Sequence, residues 1–159
     1  IGSWMARYAR AFDMDVVGYD PYLNAWPDEI RRLDLCELLT CADFISAHVP
    51  LNEHTRGMLG KREFALLKPG AVLVNTSRGS ITDERALLDA LNEGRVAAAG
   101  LDVLDGEPTV EGHPLLEYAR RHENLILTPH IGGFCPEAVD IVVAHAARRI
   151  ADVLTQATA

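Results

Sequence analysis

The side chains best placed to do chemistry in this sequence are polar groups that close apolar, strand-like runs: Asp20, His48, Thr76 to Gly79, Asp102 and His130. In sheets of parallel strands, ligands gather outside the carboxyl ends of the strands, so these are the positions where a cofactor or substrate would be met. An acidic residue closing the second strand of a dinucleotide-binding fold accepts hydrogen bonds from the adenosine ribose hydroxyls and repels a 2′-phosphate. Asp20 lies 18 residues beyond Gly2, close to the spacing that role requires, and it favours NAD over NADP. The same carboxylate would also serve to cap the turn at Pro21. Gly2 suits the last glycine of a G-x-G-x-x-G loop, in which the helix from Ser3 would offer its N-terminus to a pyrophosphate, but the two earlier glycines are not in the sequence.

Other reactive groups point nowhere in particular. Cys36, Cys41 and Cys135 form no CxxC pair and have no zinc-ligand spacing to nearby histidines, so they read as free thiols of a reducing compartment, and a cytoplasmic location is expected. Cys135, five residues after His130, invites a nucleophile reading, yet it belongs to no matching motif and a small residue ahead of a helix-starting Pro136 suffices to explain it. His48, His54, His113, His122 and His145 show no metal-like pattern, and no metal is expected. With 15 Lys+Arg against 23 Asp+Glu, a formal charge of -8 leaves no broad cationic footprint for nucleic acid. No apolar run approaches the roughly 20 residues that cross a bilayer, so neither partner is expected.

These groups need a scaffold, and the hydrophobic pattern describes one. The chain has 159 residues, 48% of them hydrophobic and 24% charged, which is ordinary globular composition at the length of one domain. Met5, Ala6, Ala9 and Phe12 recur with a helical period, and a strand-like run follows at residues 16–19. Further strands are expected at 44–47, 71–75, 96–103 and 125–128, with helices at 34–39 and 83–92. From Pro136, the stripe Val139, Val142, Val143, Ala146, Ala147, Ile150, Val153 and Leu154 fits one apolar face of a long last helix. Five strands alternating with helices, mostly as continuous apolar runs, predict a doubly wound α/β domain with a parallel sheet covered on both faces. No repeat or linker-like tract divides residues 1–159.

Several separated motifs, in order and spacing, resemble the D-isomer-specific 2-hydroxyacid dehydrogenases. They are Asn75-Thr76-Ser77-Arg78-Gly79, Gly100-Leu101-Asp102-Val103 with Glu107-Pro108, and Thr128-Pro129-His130-Ile131-Gly132-Gly133, supported by Tyr19-Asp20-Pro21 and His48-Val49-Pro50-Leu51. The resemblance implies that Arg78 holds the carboxylate of a 2-oxo acid and polarises its carbonyl. It implies that His130 is the acid/base and that Glu107 fixes its imidazole. Asp102 matches an aspartate near the nicotinamide end, while Val49, Pro50, Thr76 and Ser77 fall where the family contacts the dinucleotide. Ile1 and Gly2 align beside the phosphate loop, and Gly132 and Gly133 are expected to let the chain after His130 pass close to the nicotinamide.

The implied activity is hydride transfer between NAD(H) and a D-2-hydroxy acid or its 2-oxo acid, with pairing of two copies through this domain. The same resemblance leaves open a non-enzymatic alternative, an NAD-sensing, corepressor-like dimerisation module. Family members carry a separate substrate domain and a first central strand that this sequence does not contain. The expectation is therefore an incomplete, Rossmann-type NAD-binding domain over residues 1–159, lacking its first strand and its substrate domain. Such a polypeptide is expected to be poorly stable and without useful turnover by itself.

Overall fold

The protein is described by a computed structural model that covers residues 1–157, with side chains described to residue 155. Its first helix, α1 (Gly2–Ala11), leads into β1 (Val17–Gly18), which pairs in parallel with β2 (Arg31–Arg32) as a short two-stranded ribbon. Beyond α2 (Leu35–Cys41), the strands β3 (Phe44–Ala47), β4 (Ala71–Asn75), β5 (Val96–Leu101) and β6 (Leu125–Leu127) form a second, wholly parallel sheet in that spatial order. Helices α3 (Lys61–Leu66), α4 (Glu84–Asn92) and α5 (Pro114–Ala119) connect these strands, and α6 (Pro136–Ala157) follows the last.

The expected strands at 44–47 and 71–75 form with those bounds, because each is an apolar run closed by turn residues. The β2 strand was not expected, since two arginines carry no apolar pattern. It forms because Trp26 folds back, donating from its indole to the Ile30 carbonyl at 2.5 Å and lying against Gly18, while the Arg32 guanidinium stacks 5.0 Å over the Trp26 ring.

Helix starts are set by local chemistry. Asp34 and Glu37 form a reciprocal capping box on α2, and the Asp83 carboxylate accepts the Ala86 N–H at the start of α4. Four helices, α2 to α5, lie side by side in one layer. They cover a core of Leu39, Ile45, Phe64, Leu73, Leu87, Leu91, Val96, Leu115 and Leu125.

Coverage of the sheet on both faces, expected from the continuous apolar runs, is not what the structure shows. Burial alternates along β4, with Ala71, Leu73 and Asn75 buried and Val72 and Val74 only half-buried. On the opposite face Phe44 and Ile126 are 61% and 65% exposed. The apolar stripe expected on the last helix exists but is likewise open: Val142, Val143, Ile150, Val153 and Leu154 are all exposed. No residue of α1 is buried either. A run of apolar residues records that both sides of a strand tolerate burial, but not which neighbour supplies it.

A ribbon of two residues per strand has little to hold it, whereas β4 and β5 are flanked on both sides. Native-state hydrogen exchange is therefore expected to show the Val17, Gly18, Arg31 and Arg32 amides near-unprotected and those of β4 and β5 slowest. Equal protection of the two sheets would contradict this description.

Candidate active site

Because all four strands of the larger sheet run the same way, their carboxyl ends share one edge. The ladder extends past the strands: Asp102 N–H donates to the Asn75 carbonyl at 3.0 Å, and Thr128 N–H donates to the Leu101 carbonyl at 3.0 Å. The loops after β4, β5 and β6 are thereby brought together. Arg78, Glu107 and His130 line one open pocket of about 240 Å³ with Leu51, Ser80 and Leu104.

Within it, Glu107 Oε2 lies 2.6 Å from His130 Nδ1, and Glu107 Oε1 accepts the Leu104 N–H at 2.5 Å. Both carboxylate oxygens are committed, so Glu107 is fixed. A carboxylate can only accept, which places a proton on Nδ1 and leaves Nε2 as the ring nitrogen free of Glu107. His130 sits in the left-handed region with φ of 53°, which a non-glycine residue adopts only when its surroundings impose it.

The surroundings are supplied by Asp102, a buried residue at the end of β5. Its carboxylate accepts the Thr128 hydroxyl at 2.5 Å, the Ile131 N–H at 3.0 Å and the Gly132 N–H at 2.7 Å, and so wraps the turn that carries His130. Burial by itself would raise the carboxyl pKa. The Thr128 hydroxyl and the two N–H groups, with the nearby His130 charge, outweigh it and hold Asp102 below the usual carboxylate range. A side chain on Gly132 would approach Asp102 Oδ2 to 2.9 Å, whereas nothing lies within 4 Å of the corresponding place at Gly133. Only the first glycine of the pair is demanded by the chain itself.

Arg78 is exposed at the pocket and donates to the Ser77 carbonyl at 2.6 Å; it makes no ion pair among the described residues. Its loop is shaped by Asn75, a residue given no role in the sequence reading and 1% exposed. Asn75 Oδ1 accepts the Ser77 N–H and hydroxyl at 3.0 and 2.8 Å, and its Nδ2 donates to the Arg78 carbonyl at 2.9 Å. The Ser77 hydroxyl proton is thus engaged internally, while Thr76 is exposed at the sheet edge. Gly79 packs so closely on the next loop that a Cβ would stand 2.1 Å from the Leu104 carbonyl carbon. Its Asn-x-x-Arg-Gly setting was legible in the sequence; the reason for the glycine was not.

The remaining expected cofactor residues follow β1 and β3 or stand at the start of α1. Gly2, at the start of α1, faces His48, which follows β3; a Cβ there would make only an ordinary 3.6 Å contact, so no glycine is required by the chain. Ile1 is 82% exposed and gives α1 no side-chain cap, leaving the first-turn N–H groups without intrahelical acceptors. His48 Nδ1 is buried without a hydrogen-bond partner among the described residues, and its Nε2 meets the Ser46 hydroxyl at 2.9 Å. Burial lowers its pKa. Val49 is half-buried, and the Pro50 carbonyl accepts the Thr55 hydroxyl at 2.6 Å. At the end of β1, Asp20 Oδ1 accepts the Tyr22 and Leu23 N–H groups, so the turn-capping reading is realised, while Oδ2 accepts nothing among the described residues. The described residues contain no metal-holding cluster of His, Cys, Asp or Glu, and no helix long and apolar enough to cross a membrane.

A family model for the NAD-binding domain of D-isomer specific 2-hydroxyacid dehydrogenases matches residues 1–132. The D-3-phosphoglycerate dehydrogenase of Methanocaldococcus jannaschii is 40% identical over 161 residues, covering 97% of this chain and 29% of that protein. Among solved structures, an acyclic imino acid reductase (Bsp5) in complex with NADPH and D-Arg superposes with a TM-score of 0.88 at 33% identity, over 98% of this chain and 48% of the other. The D-lactate dehydrogenase of Aquifex aeolicus complexed with NAD and lactic acid gives 0.85 at 30% identity, over 98% and 51%. The chain thus spans about half or less of the proteins it matches.

The Asp102 clamp has a pH signature. A carboxyl held below its unfolded value of about 3.9 contributes stability that is present above that pH and lost as pH falls through the depressed folded value. Replacing Asp102 with Asn is expected to lower stability at pH 7 by about 1–3 kcal/mol and to flatten the loss of stability below about pH 4. Thermal melts of both forms from pH 7 to pH 2.5 check it; parallel profiles would show that Asp102 does not clamp the turn.

Proposed function

The chain belongs to the D-isomer-specific 2-hydroxyacid dehydrogenases through their NAD-binding domain, and from that premise we propose that it carries the NAD side of a site for hydride transfer to a 2-oxo acid and from a D-2-hydroxy acid. One observation supports this most: Glu107 Oε2 stands 2.6 Å from His130 Nδ1 in a pocket that Arg78 also lines. In the reductive direction the His130 imidazolium delivers its Nε2 proton to the carbonyl oxygen while the adjacent carbon gains a hydride; in the oxidative direction the neutral ring takes the hydroxyl proton back. Arg78 binds the substrate carboxylate through its planar fork and draws electron density from the neighbouring carbonyl. Glu107 keeps Nε2 aimed at the reacting oxygen.

The residues present fit NAD. The uncapped first turn of α1 suits a pyrophosphate and the uncommitted Asp20 Oδ2 suits a ribose hydroxyl; Val49, Pro50, Thr76 and Ser77 are read as further dinucleotide contacts, and Asp102, Gly132 and Gly133 as the residues nearest its nicotinamide end. When bound, the nicotinamide supplies or accepts the hydride. Residues 1–159 are read as one domain of a longer enzyme acting on small acids. Three free thiols are consistent with the cytoplasm, and the open apolar faces of α1 and α6 are consistent with pairing of two copies. The relatives compared above are named as enzymes, which favours catalysis over an NAD-sensing regulatory module.

In the whole protein, His130→Gln is expected to cut kcat for 2-oxo acid reduction by about 10²–10⁴ while NADH still binds. Stopped-flow NADH oxidation with fluorescence binding checks this, and an unchanged kcat would remove His130 from the mechanism. Asp20→Ala is expected to erode the preference for NADH over NADPH, measured as the ratio of their kcat/KM values; an unaltered ratio would show that Asp20 serves the turn alone.

A further inference from the structure

Glu84 and His113 do not line the pocket, yet they hold the loop that supplies Glu107. Their side chains are each only 14% exposed, and Glu84 Oε2 lies 2.8 Å from His113 Nε2. Leu115 N–H donates to His113 Nδ1 at 3.3 Å, which leaves Nε2 as the protonated nitrogen and makes it the donor to Glu84. The second oxygen, Glu84 Oε1, accepts the Asp105 N–H at 2.8 Å. On the far side, the Asp105 carboxylate takes the Ser80 hydroxyl. The adjoining peptide then donates from Leu104 N–H to Glu107 Oε1, and Glu107 Oε2 meets His130.

We propose that Glu84 and His113 are a positioning pair, which fixes the Asp105 peptide and through it the Glu107 carboxylate and the tautomer and aim of the His130 ring. The proposal deepens the dehydrogenase reading and rests on it for the importance of His130. Asp105, Gly106 and Glu107 are exposed beyond Leu104, which packs against the core, so this stretch of the loop is held mainly by its polar contacts. Rotation of the Asp105 peptide would turn the neighbouring Leu104 N–H away from Glu107. Stability alone explains the pair poorly. Burial pushes the Glu84 carboxyl up from its ordinary range, against the pull of the Asp105 N–H and His113, and a half-buried carboxylate is more costly than an apolar side chain of the same volume. Orientation of a ligand by residues behind it is a recurrent device at reactive centres, where such partners matter nearly as much as the groups they support.

The test reads the His130 ring by ¹⁵N NMR in the whole protein without cofactor or substrate, at a pH where the ring is neutral. The proton is expected mainly on Nδ1. Glu84→Met, which keeps volume and helix propensity but removes the acceptor, is expected to reduce the Nδ1–H fraction by about half. Glu84→Gln retains an acceptor for Asp105 and is expected to restore it. In a Glu107→Ala background, Glu84→Met should change nothing further, because its route to His130 is already cut. An unaltered tautomer in Glu84→Met, or a further change in the Glu107→Ala background, overturns the proposal. Should Glu84→Met fail to fold, amide exchange in the unsubstituted whole protein decides: the Asp105 N–H is expected to be protected at least about tenfold more than that of Gly106, and equal rates overturn the proposal. Neither readout involves turnover, so failure of the dehydrogenase reading and failure of this pair would be told apart.

Discussion

Two backbones meeting without a side chain between them set the geometry of this molecule's reactive edge. Gly79, just after Arg78, lies against the Leu104–Asp105 peptide, and any larger residue there would force the loops after β4 and β5 apart. Parallel strands deliver those loops to a common edge, but only to within the width of a side chain. The glycine closes the remaining distance. Arg78 thereby comes to share a pocket with Glu107, and the ladder past β5 and β6 brings His130 to the same place.

Around that contact the polar groups are arranged in order of their distance from the chemistry. His130 and Arg78 stay open to solvent. Glu107 is half-withdrawn, Asp102 and Asn75 are buried and saturated with hydrogen bonds, and Glu84 and His113 stand behind them. The buried members hold backbone: Asn75 shapes the loop of Arg78, and Asp102 holds a left-handed His130 by gripping the N–H groups of the two residues that follow it. Polar burial of this kind is stable only when every donor and acceptor is used.

Much of this edge could be read before the fold was known. Continuous apolar runs gave β3 and β4 to the residue, and motif order carried Arg78, Glu107 and His130 to one family. The supporting shell was illegible for a physical reason. Asp102 meets Ile131 and Gly132 29 and 30 residues away, and Glu84 meets His113 across 29, so neither pair has a local periodicity to betray it. The β2 strand escaped notice because a tryptophan fold-back, rather than an apolar run, creates it. Coverage of the sheet was over-read: alternating burial along β4 and the exposed Phe44, Ile126 and α6 stripe show that apolar sequence specifies a capacity for burial, which packing in this chain uses fully on one face and only in part on the other. At Asp20 the two readings proved compatible, one oxygen serving the turn and the other accepting nothing within the protein.

In the proposed function a guanidinium and an imidazole act together on one small acid. A crystal structure of the whole protein with NAD and an unreactive 2-oxo acid analogue tests that most directly. The analogue's carboxylate is expected on the Arg78 guanidinium, with its carbonyl oxygen at about 2.7–3.2 Å from His130 Nε2. An analogue bound away from Arg78, or a His130 ring presenting Nε2 to Glu107 instead, would contradict it.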